Sequence, residues 1–177
     1  MKVTLVRHGQ TESNYNNICQ GKTNVLLNDT GRRECQRLKQ QIKNKHYDVC
    51  YTSPLVRAVE TAMILIGDRV KMIPDKCLID RDLGEFEGKD RQLYDSKKYW
   101  NYELNCADGG VEPIQDIFKR CQSFVDYLFE THKNESILVV GHAASIRVIR
   151  HILLKNNNYD TLLFKDIGNC FIEEIEI

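Results

Sequence analysis

Apolar and β-branched residues run together over Lys2–Arg7 and predict a first, buried strand. Asn28-Asp29-Thr30 supplies helix-capping side chains before good helix formers over Arg32–Lys45. Tyr47–Thr52 reads as a second short strand. Ser53-Pro54 offers a cap and a first-turn proline to a helix over Leu55–Ile66, which Gly67 closes. Val70–Ile73 is a third strand. Lys89–Leu104 is polar and aromatic and is expected to be helical, although its periodicity is weak. Pro113 opens a clearer helix, with Ile117, Cys121, Phe124, Val125, Leu128 and Phe129 recurring at three- and four-residue spacing. Ser136–Gly141 is a strongly apolar strand, Ala143–Leu154 a helix, and Phe171–Ile177 a mixed charged and apolar strand suited to a sheet edge. Strands that alternate with helices predict an α/β fold with a largely parallel sheet covered on both faces. There is no repeat, and the Lys155–Asn158 stretch is too short to separate domains, so residues 1–177 are expected to form one domain.

Charge narrows the possible partners. The 177 residues carry 25 Lys+Arg and 25 Asp+Glu, a formal net charge of zero. A global basic field for nucleic acid or anionic lipid is therefore not expected, and any anion binding must be local. The apolar runs Ile137–Val140 and Ala62–Ile66 are too short to span a bilayer, and the first residues show no signal-peptide pattern. Seven cysteines, an odd number, stand at 19, 35, 50, 77, 106, 121 and 170, with no two close enough along the chain for a metal or redox pair. Free thiols in a cytoplasmic protein are the expectation.

Three strand-to-helix junctions carry unusual chemistry. Arg7-His8-Gly9 follows the first strand, Ser53-Pro54-Leu55-Val56-Arg57 the second, and His142-Ala143-Ala144-Ser145-Ile146-Arg147 the Ser136–Gly141 strand. In an open parallel sheet such junctions share the carboxyl edge, where ligands bind. Helix N-termini and arginine forks there favour a small phosphoryl group. His46, His132 and His151 follow no such strand and read as structural or solvated histidines.

The blocks RHGQTESN (Arg7–Asn14) with Gln20-Gly21, LNDTG (Leu27–Gly31), SPLVRAVETA (Ser53–Ala62), DRDLGEFEG (Asp80–Gly88) and VVGHAASIR (Val139–Arg147) together resemble the histidine phosphatase superfamily, the phosphoglycerate-mutase-like clan. The resemblance implies a three-layer α/β/α sandwich around a mostly parallel sheet with an antiparallel edge strand. It also implies that His8 attacks phosphorus and becomes a phosphohistidine, while Arg7, Arg57 and a protonated His142 surround the equatorial oxygens. Asn14 would donate to the same oxygens, with Thr11, Gln20 and Gly21 at the pocket rim. A hydrogen bond to a nearby backbone carbonyl should hold one ring nitrogen of His8 so that the other faces phosphorus. No metal and no other cofactor is implied.

The family places a glutamate four residues before the first glycine of its G-x-x-E-G-type block. Here Gly84 fixes that glycine and Asp80 stands four residues earlier, one methylene shorter. Asp80 is the expected proton donor and acceptor, with Glu85 and Glu87 as rivals. Ala143 replaces a common glycine, and Thr23–Leu27 lacks the usual aspartate and proline of its loop. Three activities follow from the resemblance: a metal-independent phosphomonoesterase for a small phosphorylated metabolite, a cofactor-dependent mutase, and a phosphate-binding domain without catalysis. The mutases are longer and carry an adjacent arginine pair in the cap and a histidine and tyrosine where this chain has Asp82-Leu83. The only adjacent pair here, Arg32-Arg33, lies in an early helix. The phosphatase reading is favoured. Compact members of this size include α-ribazole phosphatases and broad-specificity phosphatases; in a cap at about residues 89–112, Tyr94, Tyr99, Trp100 and Tyr102 would either meet the organic half of the substrate or pack a helix onto the sheet.

Overall fold

The computed structural model describes residues 1–163 and 165–177. Its strands are β1 (Lys2–Arg7), β2 (Val49–Thr52), β3 (Lys71–Pro74), β4 (Ser136–Gly141) and β5 (Ile172–Glu176), arranged in the order β3-β2-β4-β1-β5. β1, β2, β3 and β4 pair in parallel, whereas β5 runs antiparallel to β1 at the edge. The helices are α1 (Glu12–Tyr15), α2 (Asp29–Ile42), α3 (Val56–Ile66), α4 (Ser96–Tyr99), α5 (Ile114–Thr131) and α6 (Ala143–Leu153).

Alternation along β4 shows the three layers directly. Ile137 and Val139 pack into one core with Phe124, Leu128, Ile146 and Ile149 of α5 and α6. Leu138 and Val140 pack into the other with Leu38 and Ile42 of α2 and Ala58, Ala62 and Leu65 of α3. Side chains of a strand point to opposite faces in turn, so a run apolar at every position needs a helical layer on each side. The expected α/β/α sandwich with an antiparallel edge strand is the architecture observed.

Several boundaries differ from the expected ones. α2 begins at Asp29 rather than Arg32, because Asn28 is its N-cap and accepts from Gly31 N at 2.8 Å. It ends at Ile42, three residues early. α3 begins at Val56, and its first amide donates to Asn24 Oδ1 at 2.8 Å instead of being capped by Ser53. Phe129 shares the α5 periodicity, yet it is 45% exposed on the outer flank.

The largest departure is Lys89–Leu104, expected to be helical. It holds only a 3-10 turn at Arg91–Leu93 and the four-residue α4. Asp90 and Asp95 accept from Gln92 N at 2.8 Å and Lys98 N at 3.1 Å, each starting a new turn before the last can propagate. Tyr94 and Tyr99 fold inward and stack with ring centroids 4.9 Å apart, and Phe86 meets both edge-on. Aromatic packing, not helical periodicity, organises this segment.

Candidate active site

β2, β4 and β1 are adjacent in the sheet, and their carboxyl ends are level: Arg7 pairs with Gly141, and Thr52 with Val140. The ladder continues one residue further, with His8 N donating to Gly141 O at 3.0 Å and Ser53 N to Val140 O at 2.9 Å. The next residues on β1 and β4 are therefore neighbours in space. The His8 and His142 rings lie 5.1 Å apart between centroids, close to the spacing of adjacent strands. Sheet register thus brings together two histidines that are 134 positions apart in sequence (142 − 8).

His8 is fixed in one orientation. Its Nδ1 lies 2.7 Å from the carbonyl oxygen of Gly9, an acceptor only, so Nδ1 carries the hydrogen and Nε2 the lone pair. This supplies the backbone acceptor expected for the ring. Gly9 is required for the turn, since a Cβ there would sit 2.7 Å from Cys35 Sγ and 2.8 Å from Gly31 O. Arg57 Nε donates to His8 Nε2 at 3.3 Å. Burial, followed by the charges of Arg7 and Arg57, pushes the His8 pKa well below the ordinary histidine value, so the ring is neutral near pH 7.

Arg57 is fully buried, and each nitrogen of its fork donates at least once. Nη1 donates to Thr23 O at 2.8 Å, and Nη2 to Gly21 O at 2.8 Å and Asp80 Oδ2 at 3.2 Å. Gly21 permits this approach of its carbonyl through a left-handed backbone, φ +52°. Arg7 donates through Nη1 to Ile167 O at 2.6 Å, while its buried Nε makes no hydrogen bond within the protein.

His142 is the mirror case. Its Nε2 lies 2.7 Å from Ser53 Oγ, which already accepts from Leu55 N at 3.3 Å. The Ser53 hydroxyl hydrogen is then free to be donated to Nε2, leaving Nδ1 as the N–H. That Nδ1 is buried without a hydrogen bond and lies 3.8 Å from Asp80 Oδ2. The expectation of a protonated His142 is corrected here. Burial and the charges around it hold its pKa well below the usual value and favour the neutral ring. Nδ1–H still donates in that form. Ser53 is the residue that sequence reasoning passed over, having been read as a helix cap.

Of the three candidate carboxylates, Asp80 alone touches this cluster. Its side chain is 18% exposed, with Oδ2 against Arg57 and Oδ1 accepting from Arg81 N at 3.0 Å. Burial raises its pKa, against the opposing charges of Arg57 and Arg7. Glu85 is 58% exposed with Lys89 at 3.9 Å. Glu87 accepts from Lys22 N at 2.7 Å and from Thr23 N and Oγ1 at 3.1 and 2.8 Å, and so braces the loop whose carbonyls receive Arg57.

Residues 3–177 match the model of the histidine phosphatase superfamily, branch 1. The chain belongs to that superfamily. It is 30% identical over 148 residues to the uncharacterised phosphatase PhoE of Bacillus subtilis, covering 83% of this chain and 74% of that protein. Among solved structures, Bacillus stearothermophilus YhfR superposes with a TM-score of 0.88 at 25% identity, covering 99% of this chain and 91% of that one. A mutant phosphoserine phosphatase of Entamoeba histolytica in complex with phosphoserine superposes with a TM-score of 0.82 at 29% identity, covering 98% and 89%. The chain is thus an enzyme of the phosphatase and mutase family that acts on phosphorylated small molecules.

In this histidine phosphatase a cleft opens beside the buried cluster, lined by Arg7, Asn14, Asp80, Arg91, Tyr94 and Trp100 among others. Gln20 and Gly21 also line it, whereas Thr11 does not. Thr11 caps α1, accepting from Asn14 N at 3.2 Å and donating to Gln20 Oε1 at 2.8 Å, so its place is behind the rim. Asn14 Oδ1 accepts from Thr11 N at 3.2 Å and Asn169 Nδ2 at 3.1 Å, which leaves its amide hydrogens for the cleft. Ala143, the residue in place of a common glycine, lines the cleft as well.

The segment bearing Asp80 is held from both sides by a half-buried pair. Arg120 meets the Glu112 carboxylate at 2.7 and 3.1 Å and donates through Nη1 to Cys77 O at 2.6 Å and Ile79 O at 2.8 Å. Glu112 O accepts from Arg81 at 2.8 and 2.6 Å, and Arg81 also donates to Tyr99 O at 2.8 Å. Trp100 sits between the Arg81 and Arg147 guanidiniums, 5.4 and 5.5 Å from its ring. The aromatics of residues 89–112 therefore divide. Tyr94 and Trp100 face the cleft, whereas Tyr102 stacks on Tyr159 at 3.7 Å.

The other histidines lie elsewhere. His46 is exposed beside Asp48 at 3.0 Å, His132 bonds Tyr51 Oη at 2.8 Å and Glu135 at 2.7 Å, and His151 packs against Phe118 and Tyr159.

Proposed function

We propose that the chain is a metal-independent phosphomonoesterase that works through a phosphohistidine on His8. The observation that carries this reading is a pair of buried donors without a partner in the protein, Arg7 Nε and His142 Nδ1, beside a His8 Nε2 lone pair that meets only the Arg57 guanidinium. Unsatisfied buried donors are costly, and a phosphoryl oxygen satisfies them. The phosphoryl group takes over the bonds that Arg57 makes to His8 and Asp80.

In the first step the Nε2 lone pair attacks phosphorus and the P–O ester bond breaks. The Asp80 carboxyl gives its proton to the departing alkoxide. In the second step water attacks the phosphohistidine, its proton returns to Asp80, and the P–N bond breaks to free phosphate and His8. Asp80 is supported for both roles by its raised pKa and by its position against Arg57 and His142. Asn14 donates to the phosphoryl oxygens, and Gln20 and Gly21 border them.

Hydrolysis is favoured over a mutase because the adjacent arginine pair is engaged elsewhere. Arg32 binds Glu60 at 2.6 Å and Arg33 binds Thr30 at 2.9 Å, both on the flank formed by α2. The organic half of the substrate meets Arg91, Tyr94 and Trp100 of the cap at about residues 89–112. That lining suits a small metabolite with a flat or anionic group, and α-ribazole phosphate is one such compound. A rapid quench with ³²P-labelled phosphomonoester should trap an acid-labile, base-stable label on His8. Phosphate release in excess chelator should be undiminished, and loss that added metal restores would overturn the metal-independent reading. With 3-phosphoglycerate and trace bisphosphoglycerate, 2-phosphoglycerate in place of free phosphate would make the chain a mutase. Absence of both label and turnover across sugar phosphates, nucleotides, phosphoserine and α-ribazole phosphate would leave a binding domain.

A further inference from the structure

The seven cysteines have no short spacing in sequence, yet the fold brings two of them together behind the nucleophile. Cys35 on α2 and Cys170 in the turn before β5 lie with their sulfurs 3.6 Å apart, in hydrogen-bond contact and unbridged. All seven thiols are free, as expected, and this contact is made by the fold and not by spacing along the chain. Cys35 is buried, and Cys170 is partly exposed.

Both residues grip the His8–Gly9 segment. Cys170 N donates to His8 O at 3.2 Å, and Asn169 Nδ2 donates to the same oxygen at 3.1 Å. From the other side Cys35 Sγ packs on Gly9 so closely that no Cβ fits there, and it lies 3.7 Å from Thr61 Oγ1, which accepts from Gly9 N at 3.1 Å. The Gly9 carbonyl is the group that orients the His8 ring. The turn holding Cys170 also presents Ile167 O to Arg7.

We propose that Cys35 and Cys170 form an oxidisable dithiol, a modification site that takes a hydroperoxide as oxidant and disables the His8 site when bridged. Cys170, the accessible thiol, reacts first. Its sulfur attacks the peroxide oxygen, an S–O bond forms, the O–O bond breaks, and the alcohol or water leaves with the thiol proton. The Cys35 sulfur then attacks Cys170 Sγ. The S–S bond forms, the S–O bond breaks, and hydroxide departs with the Cys35 proton as water. In sum two thiols and one hydroperoxide give a disulfide, an alcohol (water from hydrogen peroxide) and water, the two sulfurs being oxidised and the peroxide reduced. The two sulfurs share one hydrogen bond, so the contact favours a thiolate on only one of them, lowering the Cys35 pKa and, with burial, raising that of Cys170.

A disulfide needs sulfurs about 2.05 Å apart, so closure draws the two segments together by roughly 1.5 Å. Cys170 has φ +52° in the turn before β5 and is tied through its amide to His8 O, so closure carries that support with it. Movement there shifts the supports of both His8 and Arg7, and displacements of about 1 Å at a reacting centre cost on the order of 100-fold in rate.

The effect on activity rests on the phosphatase reading, whereas the disulfide itself does not. The test treats the full chain with hydrogen peroxide, alkylates remaining thiols, digests and maps the cysteines, with phosphate release measured in parallel. Oxidation should yield a Cys35–Cys170 linked peptide and at least a tenfold fall in turnover, both reversed by dithiothreitol. Cys170→Ser and Cys170→Ala, changes at a partly exposed position, should keep basal turnover and resist the same peroxide dose. Recovery of both cysteines as alkylated thiols, or inactivation of the Cys170 variants equal to that of the parent, would overturn the proposal. A linked peptide in a chain without any turnover would establish the dithiol and refute the phosphatase reading instead.

Discussion

The floor of the cleft and the arm that carries Asp80 are held in different ways. His8 and His142 follow the ends of adjacent strands and Arg57 lies in the first turn of α3, with backbone bonds continuing the sheet beneath them. The arm from Lys76 to Glu112 contains 3-10 turns and the short α4, with no strand. Its position depends on charged side chains that reach backbone carbonyls: Arg120 to Cys77 and Ile79, Arg81 to Glu112 and Tyr99. A ladder is made by backbone groups that every residue but proline supplies, whereas a guanidinium clamp needs one residue type at one place. The proposed nucleophile is thus supported by the sheet and the proposed proton donor by a few named side chains.

Substitutions should separate the two regions. His8→Ala removes the attacking nitrogen while leaving the ladder intact. Turnover should fall by about 10⁴-fold or more with an unchanged far-ultraviolet circular dichroism spectrum, and retained phosphate release would refute the assignment of the nucleophile. Asp80→Asn should lower kcat by about 10²- to 10⁴-fold on an alkyl phosphate and far less on p-nitrophenyl phosphate, whose leaving group needs no proton. If Glu85→Gln showed that pattern and Asp80→Asn did not, the arm would have been read wrongly.

Arg120→Met tests the clamp. It should lower kcat on the alkyl phosphate by roughly 10- to 100-fold through displacement of Asp80, with KM and turnover of p-nitrophenyl phosphate changed much less. It also leaves Glu112 unpaired and should destabilise the fold by about 3 kcal/mol, part of which Glu112→Gln restores. Equal losses on both substrates would mean that the pair supports the fold alone.

The floor has a pH signature of its own. His8 and His142 are buried with pKa values depressed mainly by burial, so the unfolded chain binds protons that the folded chain does not. Their contribution to stability is present above the unfolded value of about 6.5 and is lost as pH falls through the folded values, at up to about 1.4 kcal/mol per pH unit for each ring. Asp80, with a raised pKa, acts in the opposite sense: its contribution is present below its unfolded value of 3.8 and lost as pH rises through the folded one. Urea unfolding at pH 7.5 and 5.5 should show lower stability at the lower value. A flat profile would mean that the rings are solvated. Trp100→Ala, the smallest change, should raise KM severalfold and leave kcat nearly unaltered, provided that the ring contacts substrate.

These contrasts explain what was readable in advance. The strands at Lys2–Arg7 and Ser136–Gly141 have the expected bounds because continuous apolar runs leave the backbone no other burial. His8, Arg57 and His142 were legible because each follows such a run at a strand-to-helix junction. Asp80 was found only by resemblance to a family pattern. Thr11 was placed at the rim by the same route, and the structure puts it one layer back.

The chain's own order of apolar and polar residues determined the layered architecture and the carboxyl-edge location of the site, because those depend on local periodicity and short motifs, whereas the roles expected of His8, Arg57 and His142 came from the family resemblance. Folding in three dimensions decided the His8 tautomer, the link from Ser53 to His142, the neutral state of that ring, the Arg120–Glu112 clamp and the meeting of Cys35 with Cys170. Each of these joins residues through a particular distance, or through burial that no single segment contains, so no pattern along one stretch of chain encodes it.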